Sequence, residues 1–337
     1  MIKIGTATFP YNVFCAVGAR GFLGEGYLHD RFFRHIPGCT WEETNSAFKT
    51  VTLEKREGNM PLCNDGIHPR ETFSRSIVVE PFSGHVLNAV SWSNFGLEFY
   101  AKQGIWQEMC KKESIVISIG TESTEMDGRL REIEGMRKIL IRWFKIDQRR
   151  NVVLHLNFGC PNVQRFSYSS EIYTEIRESL TRLQEIGLPI VVAFNPITPA
   201  EIIAKVTDHR ACSGLWLSNT VPWGYPLGEG KEWKDIFGSH TSPFQKRGFN
   251  QSGGLSGPYC LPLVIRQVAA VRKECLGIPI IAGNGIQCAE DGIRVIDAGA
   301  NAIAIGIVKI VRPWRMRSII TGVNQYCYQR ERLLGWD

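Results

Sequence analysis

The chain has 337 residues, 44% of them hydrophobic and 21% charged, with a formal net charge of +6 at pH 7. That composition excludes a disordered or collagen-like chain and supplies enough apolar material for a sizeable core. Its densest basic clusters, Lys111-Lys112 and Arg149-Arg150, are too short for a nucleic-acid-binding stripe.

Along the chain, short β-branched runs alternate with longer amphipathic segments. Strands are predicted at 13–17, 47–52, 114–120, 152–158, 190–195, 214–219, 278–283 and 302–307. Most are near-continuous apolar runs, as expected of parallel strands covered on both faces. Helices are predicted at 126–144, 170–186, 199–206, 261–275, 289–298 and 314–334. Within 170–186, Ile172, Ile176, Leu180, Leu183 and Ile186 recur at steps of three and four, a single apolar stripe that Gly187 is placed to end. About eight strand–helix repeats predict an α/β chain folded as a (β/α)8 TIM barrel, with residues 1–337 as one domain. An open doubly wound sheet is the alternative.

Two stretches break the repeat. In 60–90, an extended segment at 76–81 and turn signals at Gly58-Asn59, Asn64-Asp65-Gly66 and Ser83-Gly84 predict a β-hairpin excursion after strand two. After strand six, 222–255 is rich in Gly, Trp, Ser and Lys and reads as a long structureless loop, the kind that serves as a lid or binding loop.

Ten cysteines with no C-x-x-C pair read as reduced thiols rather than a disulfide framework. Met1-Ile2-Lys3-Ile4-Gly5 has no apolar signal core, and no run approaches the roughly 18 apolar residues of a membrane span. The expectation is a soluble, cytoplasmic protein with no membrane or nucleic-acid partner.

Barrels of this kind bind ligands at the C-terminal ends of their strands. There the sequence places Lys49-Thr50, Asn157-Phe158-Gly159-Cys160-Pro161-Asn162, Ser218-Asn219-Thr220, Gly283-Asn284-Gly285 and Gly306, with Asn88 returning from the hairpin. An amide both donates and accepts, so Asn88, Asn157, Asn162 and Asn219 together suit a ring of alternating N–H and C=O groups such as a pyrimidine. Singly, each could equally make a loop Asx-turn. Cys160, in a loop directly after a strand, could act as a general base or be a buried structural thiol. Gly283-Asn284-Gly285 and Gly306 could admit a phosphate, as could the small-residue turn Ser252–Gly257 around Gly254. No metal-binding or hydrolase motif is present, and no metal is expected.

These residues resemble the dihydroorotate dehydrogenase family. Thr52-Leu53-Glu54-Lys55-Arg56-Glu57-Gly58-Asn59 looks like the signature of its soluble members. Asn157–Asn162 resembles the family's N-x-x-C-P-N loop, and Asn88-Ala89-Val90-Ser91-Trp92-Ser93-Asn94 its N-S-x-G-L-x-N segment. The resemblance runs from about Phe14 to Val308. It implies an FMN-dependent oxidoreductase in pyrimidine biosynthesis that oxidises dihydroorotate or a similar dihydropyrimidine. Cys160 and Lys49 would be catalytic, Cys160 as the base and Lys49 between flavin and substrate. Asn88, Asn157, Asn162, Asn219 and Thr220 would hold the substrate. Ala16, Gly18, Lys49, Thr50, Gly254, Gly285 and Gly306 would hold the flavin. The motif and the cysteine base imply the homodimeric class that passes electrons to fumarate.

The departures lie mostly on the cofactor side. The family's strand-five lysine corresponds to Ala193, its Gly-Gly turn reads Gly283-Asn284, its threonine after Gly306 is Ile307, and its Gly-Leu pair is Ser91-Trp92. They motivate a second reading, a barrel that binds a pyrimidine-like ligand without flavin turnover.

Overall fold

The computed structural model describes residues 1–28, 30–159 and 170–333. Each apolar run becomes a strand: β1 (Val13–Cys15), β2 (Ser46–Ala47), β3 (Ile115–Ile119), β4 (Val152–Asn157), β5 (Ile190–Phe194), β6 (Cys212–Leu217), β7 (Ile280–Gly283) and β8 (Ala302–Ile305). They pair in parallel in the order β1-β8-β7-β6-β5-β4-β3-β2. The ring closes through a parallel bridge between Phe14 and Asn45, where Cys15 N donates to Asn45 O at 3.0 Å and Asn45 N to Val13 O at 2.9 Å. Closure excludes the open sheet and gives the (β/α)8 barrel.

Side chains alternate in and out along each strand. Phe14, Val116, Val153, Val191, Trp216, Ile281 and Ala302 fill the interior. Their neighbours Ile117, Leu154, Val192, Leu215, Ile280 and Ile303 face outward, onto a second core shared with the surrounding helices. Those helices, Met126–Trp143, Ser170–Leu183, Ala200–Thr207, Leu261–Glu274, Ala289–Asp297 and Met316–Leu333, fall where the periodicity placed them. Gly187 ends the second of these, after a 3-10 turn, with φ +75°. No helix among the described residues is long and apolar enough to cross a membrane, and the described cysteines are all free.

Three features differ from the sequence-based expectation. Strand two is regular only over Ser46–Ala47. Beyond it Lys49 N bonds Gly21 O and Val51 N bonds Ser118 O, which leaves Lys49 and Thr50 outside the ladder. The stretch 222–255 is not structureless. It holds helices Trp233–Phe237 and Pro243–Lys246 over a cluster of Leu227, Trp233, Ile236 and Phe244. Its ends, Val221–Pro222 and Gly254–Ser256, pair with each other and then with the predicted hairpin, Ile77–Glu80 against His85–Asn88. The two excursions therefore form one four-stranded antiparallel sheet. Finally, a hairpin of Ile2–Ile4 and Ala7–Phe9, too short for its pattern to register in the sequence, joins the interior core. The Phe9 ring lies 4.9 Å from that of Phe14, and Phe14 lies 5.5 Å edge-on from Trp216.

That hairpin fills the barrel interior without touching the strand ends that carry polar groups. Ile4, fully buried, should lose about 2–5 kcal/mol of stability on replacement by alanine. The check is a lower urea midpoint at unchanged slope.

Candidate active site

Period two on β4 turns His155 and Asn157 inward while Leu154 and Leu156 face the helices. From these two residues a buried polar chain crosses the strand ends. Asn157 Nδ2 donates to Thr50 Oγ1 at 3.0 Å, Thr50 Oγ1 lies 2.8 Å from Ser118 Oγ, and Ser118 Oγ lies 2.9 Å from His155 Nδ1. On the other side Asn219 Nδ2 donates to Asn157 Oδ1 at 3.2 Å, and Thr220 N to Asn219 Oδ1 at 2.8 Å. Asn284 continues the chain, donating to the carbonyl of Asn219 at 2.8 Å and accepting from Gly257 N at 3.1 Å. Asn284 holds φ +93°, a conformation asparagine tolerates better than most residues.

Above this network is a cavity of about 580 Å3. Ten of the predicted site residues line it: Ala16, Gly18, Lys49, Thr50, Asn88, Asn157, Asn219, Thr220, Gly285 and Gly306. One wall is made of small residues, Ala16, Gly18, Ala19, Ala304 and Gly306. The antiparallel sheet and its flanks contribute Met60, Ile77, Val86, Val90 and Trp92, and the lining also includes His68, Glu71, Thr72 and Ser74. Gly254 is not on the wall. It pairs with Asn88 in the antiparallel sheet, and Ser256 lines the cavity instead. Cys160 and Asn162 lie outside the described residues. The preceding Gly159 is tightly placed, since a Cβ there would come 2.7 Å from Phe194 C and 2.9 Å from Asn219 Nδ2.

Lys49 reaches into this space from a buried position. Its Nζ donates to Ser93 O at 2.9 Å and sits 4.6 Å from the centre of the Phe22 ring. Loss of hydration pushes its pKa down to about 7. Burial likewise pushes His155 down to about 3, so its imidazole is neutral. The Thr220 hydroxyl is buried in the cavity wall and has no hydrogen-bond partner among the described residues, so it is available to a ligand.

The T-L-E-K-R-E-G-N stretch has a mechanical role. Arg56 exchanges backbone hydrogen bonds with Asn94, donates from Nε to Ser91 O at 2.8 Å, and pairs with Glu122. Asn59 Nδ2 donates to Ala89 O at 2.7 Å. These contacts clamp the loop after Asn88, in which Ser91 and Trp92 both hold φ +56°. Each residue in that left-handed region costs about 1–2 kcal/mol.

Ala193 sits between Asn157 and Trp216 in the ladder. The indole of Trp216 fills the interior there, edge-on to His155 at 5.1 Å. Lys205 does not replace the missing cation, for it is exposed on the outer helix Ala200–Thr207. Besides Lys49, Lys309 lines the cavity, ion-paired to Asp30 at 2.6 Å. The sequence reading missed His155 and Ser118, although their spacing of two from Asn157 and Gly120 on the same strands was the available signal.

The family model described as dihydroorotate dehydrogenase matches residues 44–326. The chain belongs to the dihydroorotate dehydrogenase family. Its members are oxidoreductases acting on CH–CH bonds. Among relatives, the chain is 30% identical over 308 residues to the catalytic subunit of dihydroorotate dehydrogenase B (NAD(+)) of Geobacillus kaustophilus, covering 90% of this chain and 83% of that one. It is 28% identical over 285 residues to the same subunit of Desulforamulus reducens, covering 82% and 79%. In fold it resembles the crystal structure of DHODH from Eimeria tenella in complex with ferulenol, with a TM-score of 0.69 at 18% identity over 97% of this chain and 84% of that one. Among the described residues no group of three or more His, Cys, Asp or Glu is placed to hold a metal.

Lys49 gives this family member a pH dependence of stability. Its folded pKa lies below its unfolded value, so between about pH 7 and 10.5 the unfolded chain carries more protons. Lys49 therefore makes stability rise with pH across that window. Urea midpoints of Lys49→Met should lack that component of the rise.

Proposed function

We propose that this chain is an FMN-dependent oxidoreductase that oxidises dihydroorotate or a similar dihydropyrimidine. The observation that carries the reading is the convergence of Asn88, Asn157, Asn219, the Thr220 hydroxyl and Lys49 on one cavity that small residues also line. The amides and hydroxyl match the alternating donors and acceptors of an imide ring. The small-residue wall suits a flat ring system, and the volume is within the range of small-molecule and cofactor sites.

In this reading Ala16, Gly18, Lys49, Thr50, Gly285 and Gly306 hold the flavin, which when bound accepts the hydride of the substrate. Asn88, Asn157, Asn162, Asn219 and Thr220 orient the substrate ring. Cys160 takes a proton from one ring carbon as hydride leaves the neighbouring carbon, so a C=C bond forms. Lys49, deprotonated over part of the neutral range, donates toward the space shared by the two ligands. Residues 1–337 act as one catalytic domain, in a soluble homodimer serving pyrimidine biosynthesis. The relatives compared are named for NAD(+) and as catalytic subunits, which favours an NAD(+)-linked partner over fumarate as the electron acceptor.

The second reading, a barrel that binds a pyrimidine-like ligand without turnover, is favoured by one observation. Where the family resemblance expects a lysine stands Ala193, whose ladder neighbours are the uncharged Asn157 and Trp216. An absorbance spectrum before and after anaerobic dihydroorotate separates the two. The proposal expects a flavin band that bleaches. Colourless protein that still binds orotate in calorimetry supports the second reading. Replacing Cys160 by alanine should slow the bleaching by about 100-fold or more, and an unchanged rate removes Cys160 from the mechanism.

A further inference from the structure

We propose that Trp92 is the specificity-determining wall of the substrate end of the cavity, and that it restricts the site to a six-membered imide ring carrying no bulk beyond the carboxylate of orotate itself. The inference rests on the substrate class proposed above. Trp92 lines the cavity with Asn88, Asn157 and Asn219, yet is only 7% exposed. Its six-membered ring is seated on Gly120, the residue that follows β3. A Cβ at position 120 would lie 2.6 Å from Cη2 and 2.7 Å from Cζ3. Only glycine lets the indole lie that low, so on its barrel side the ring is already against backbone.

The backbone side is closed as well. Ser91 and Trp92 both hold the left-handed conformation, and neither is a glycine that would adopt it freely. Consecutive residues in such a conformation persist only where their surroundings over-determine it. Here the surroundings are specific. Asn94 Nδ2 donates to the Trp92 carbonyl at 2.6 Å, and Arg56 Nε donates to the Ser91 carbonyl at 2.8 Å. Arg56 is in turn paired with Glu122, two residues beyond Gly120. The loop and the strand end are therefore tied together with the indole between them.

A wall fixed on both sides cannot yield to a larger ligand. The amide groups decide which ring edges are accepted, and the indole decides how much substituent the ring can carry. Discrimination of that kind comes from a steric clash built against the wrong ligand rather than from an added contact to the right one. One methyl group is enough to be felt, at about 10-fold or more in affinity.

The test measures binding of orotate and 5-methylorotate to the FMN-loaded protein by calorimetry. The wild type should bind orotate about ten-fold or more tightly than 5-methylorotate. Trp92→Leu should shrink that ratio to about three-fold or less by gaining affinity for 5-methylorotate. Gly120→Ala should push the indole into the cavity and weaken orotate binding, and adding Trp92→Leu to it should restore that binding. Trp92→Phe, a milder change, should give an intermediate ratio if the leucine variant does not fold. A ratio unchanged in the Trp92 variants, or a double variant no better than Gly120→Ala, overturns the role of Trp92 alone. A wild-type protein that binds neither ligand overturns the substrate reading and this inference with it.

Discussion

A buried amide or hydroxyl that loses water must find another partner, and in this barrel that requirement organises everything above the apolar core. The chain from His155 through Ser118 and Thr50 to Asn157 and Asn219 joins four of the eight strands, β3, β4 and the ends of β2 and β6, by side chains alone. Because each member is held by the next, the faces presented to the cavity are fixed before any ligand arrives. Asn157 can neither rotate nor be replaced without taking the acceptor from the Asn219 amide, at a cost of about 1–3 kcal/mol for the orphaned group. The Thr220 hydroxyl, at the end of this chain, is the member left over.

Much of this was legible in the sequence because barrel strands are buried on both faces. Long apolar runs, one after another, allow little else, and the helical stripe of 170–186 with its terminating Gly187 was readable to the residue. Most of the ten predicted positions that line the cavity could be named because ligands sit where strands end, and the ends of apolar runs are visible; Ala16 and Gly18 came from the family resemblance alone. What escaped was pairing at a distance. Nothing local to Val221–Pro222 or Gly254–Ser256 announces that they will extend a hairpin far earlier in the chain. Gly254 illustrates the difficulty. Its small-residue neighbourhood reads as a ligand turn, whereas its backbone serves a ladder with Asn88. The recognised motif at Thr52–Asn59 is likewise a clamp on the neighbouring loop more than a set of ligand contacts.

The barrel interior shows how a small residue on a central strand is accommodated. Ala193 leaves space in the barrel, and in the same ladder Trp216 occupies it, with His155 edge-on and neutral. The interior is packed rather than hollow, and beside Ala193 it is filled by an indole that carries no charge. Lys49 is then a buried cation that faces the same cavity as the small-residue wall. Its burial makes its charge depend on proton concentration near neutrality.

The antiparallel sheet over the strand ends has a consequence for the chain as it emerges from the ribosome. Its central strand, His85–Asn88, is made early, but the strand that covers its second edge, Gly254–Ser256, follows only after β6. Until then an apolar ladder edge stands open, a template for pairing with any extended segment that meets it. Synthesis of the barrel therefore passes through an interval in which the part destined to roof the cavity is the part most exposed to misassembly. Completion of that sheet joins the last-made half of the chain to the first.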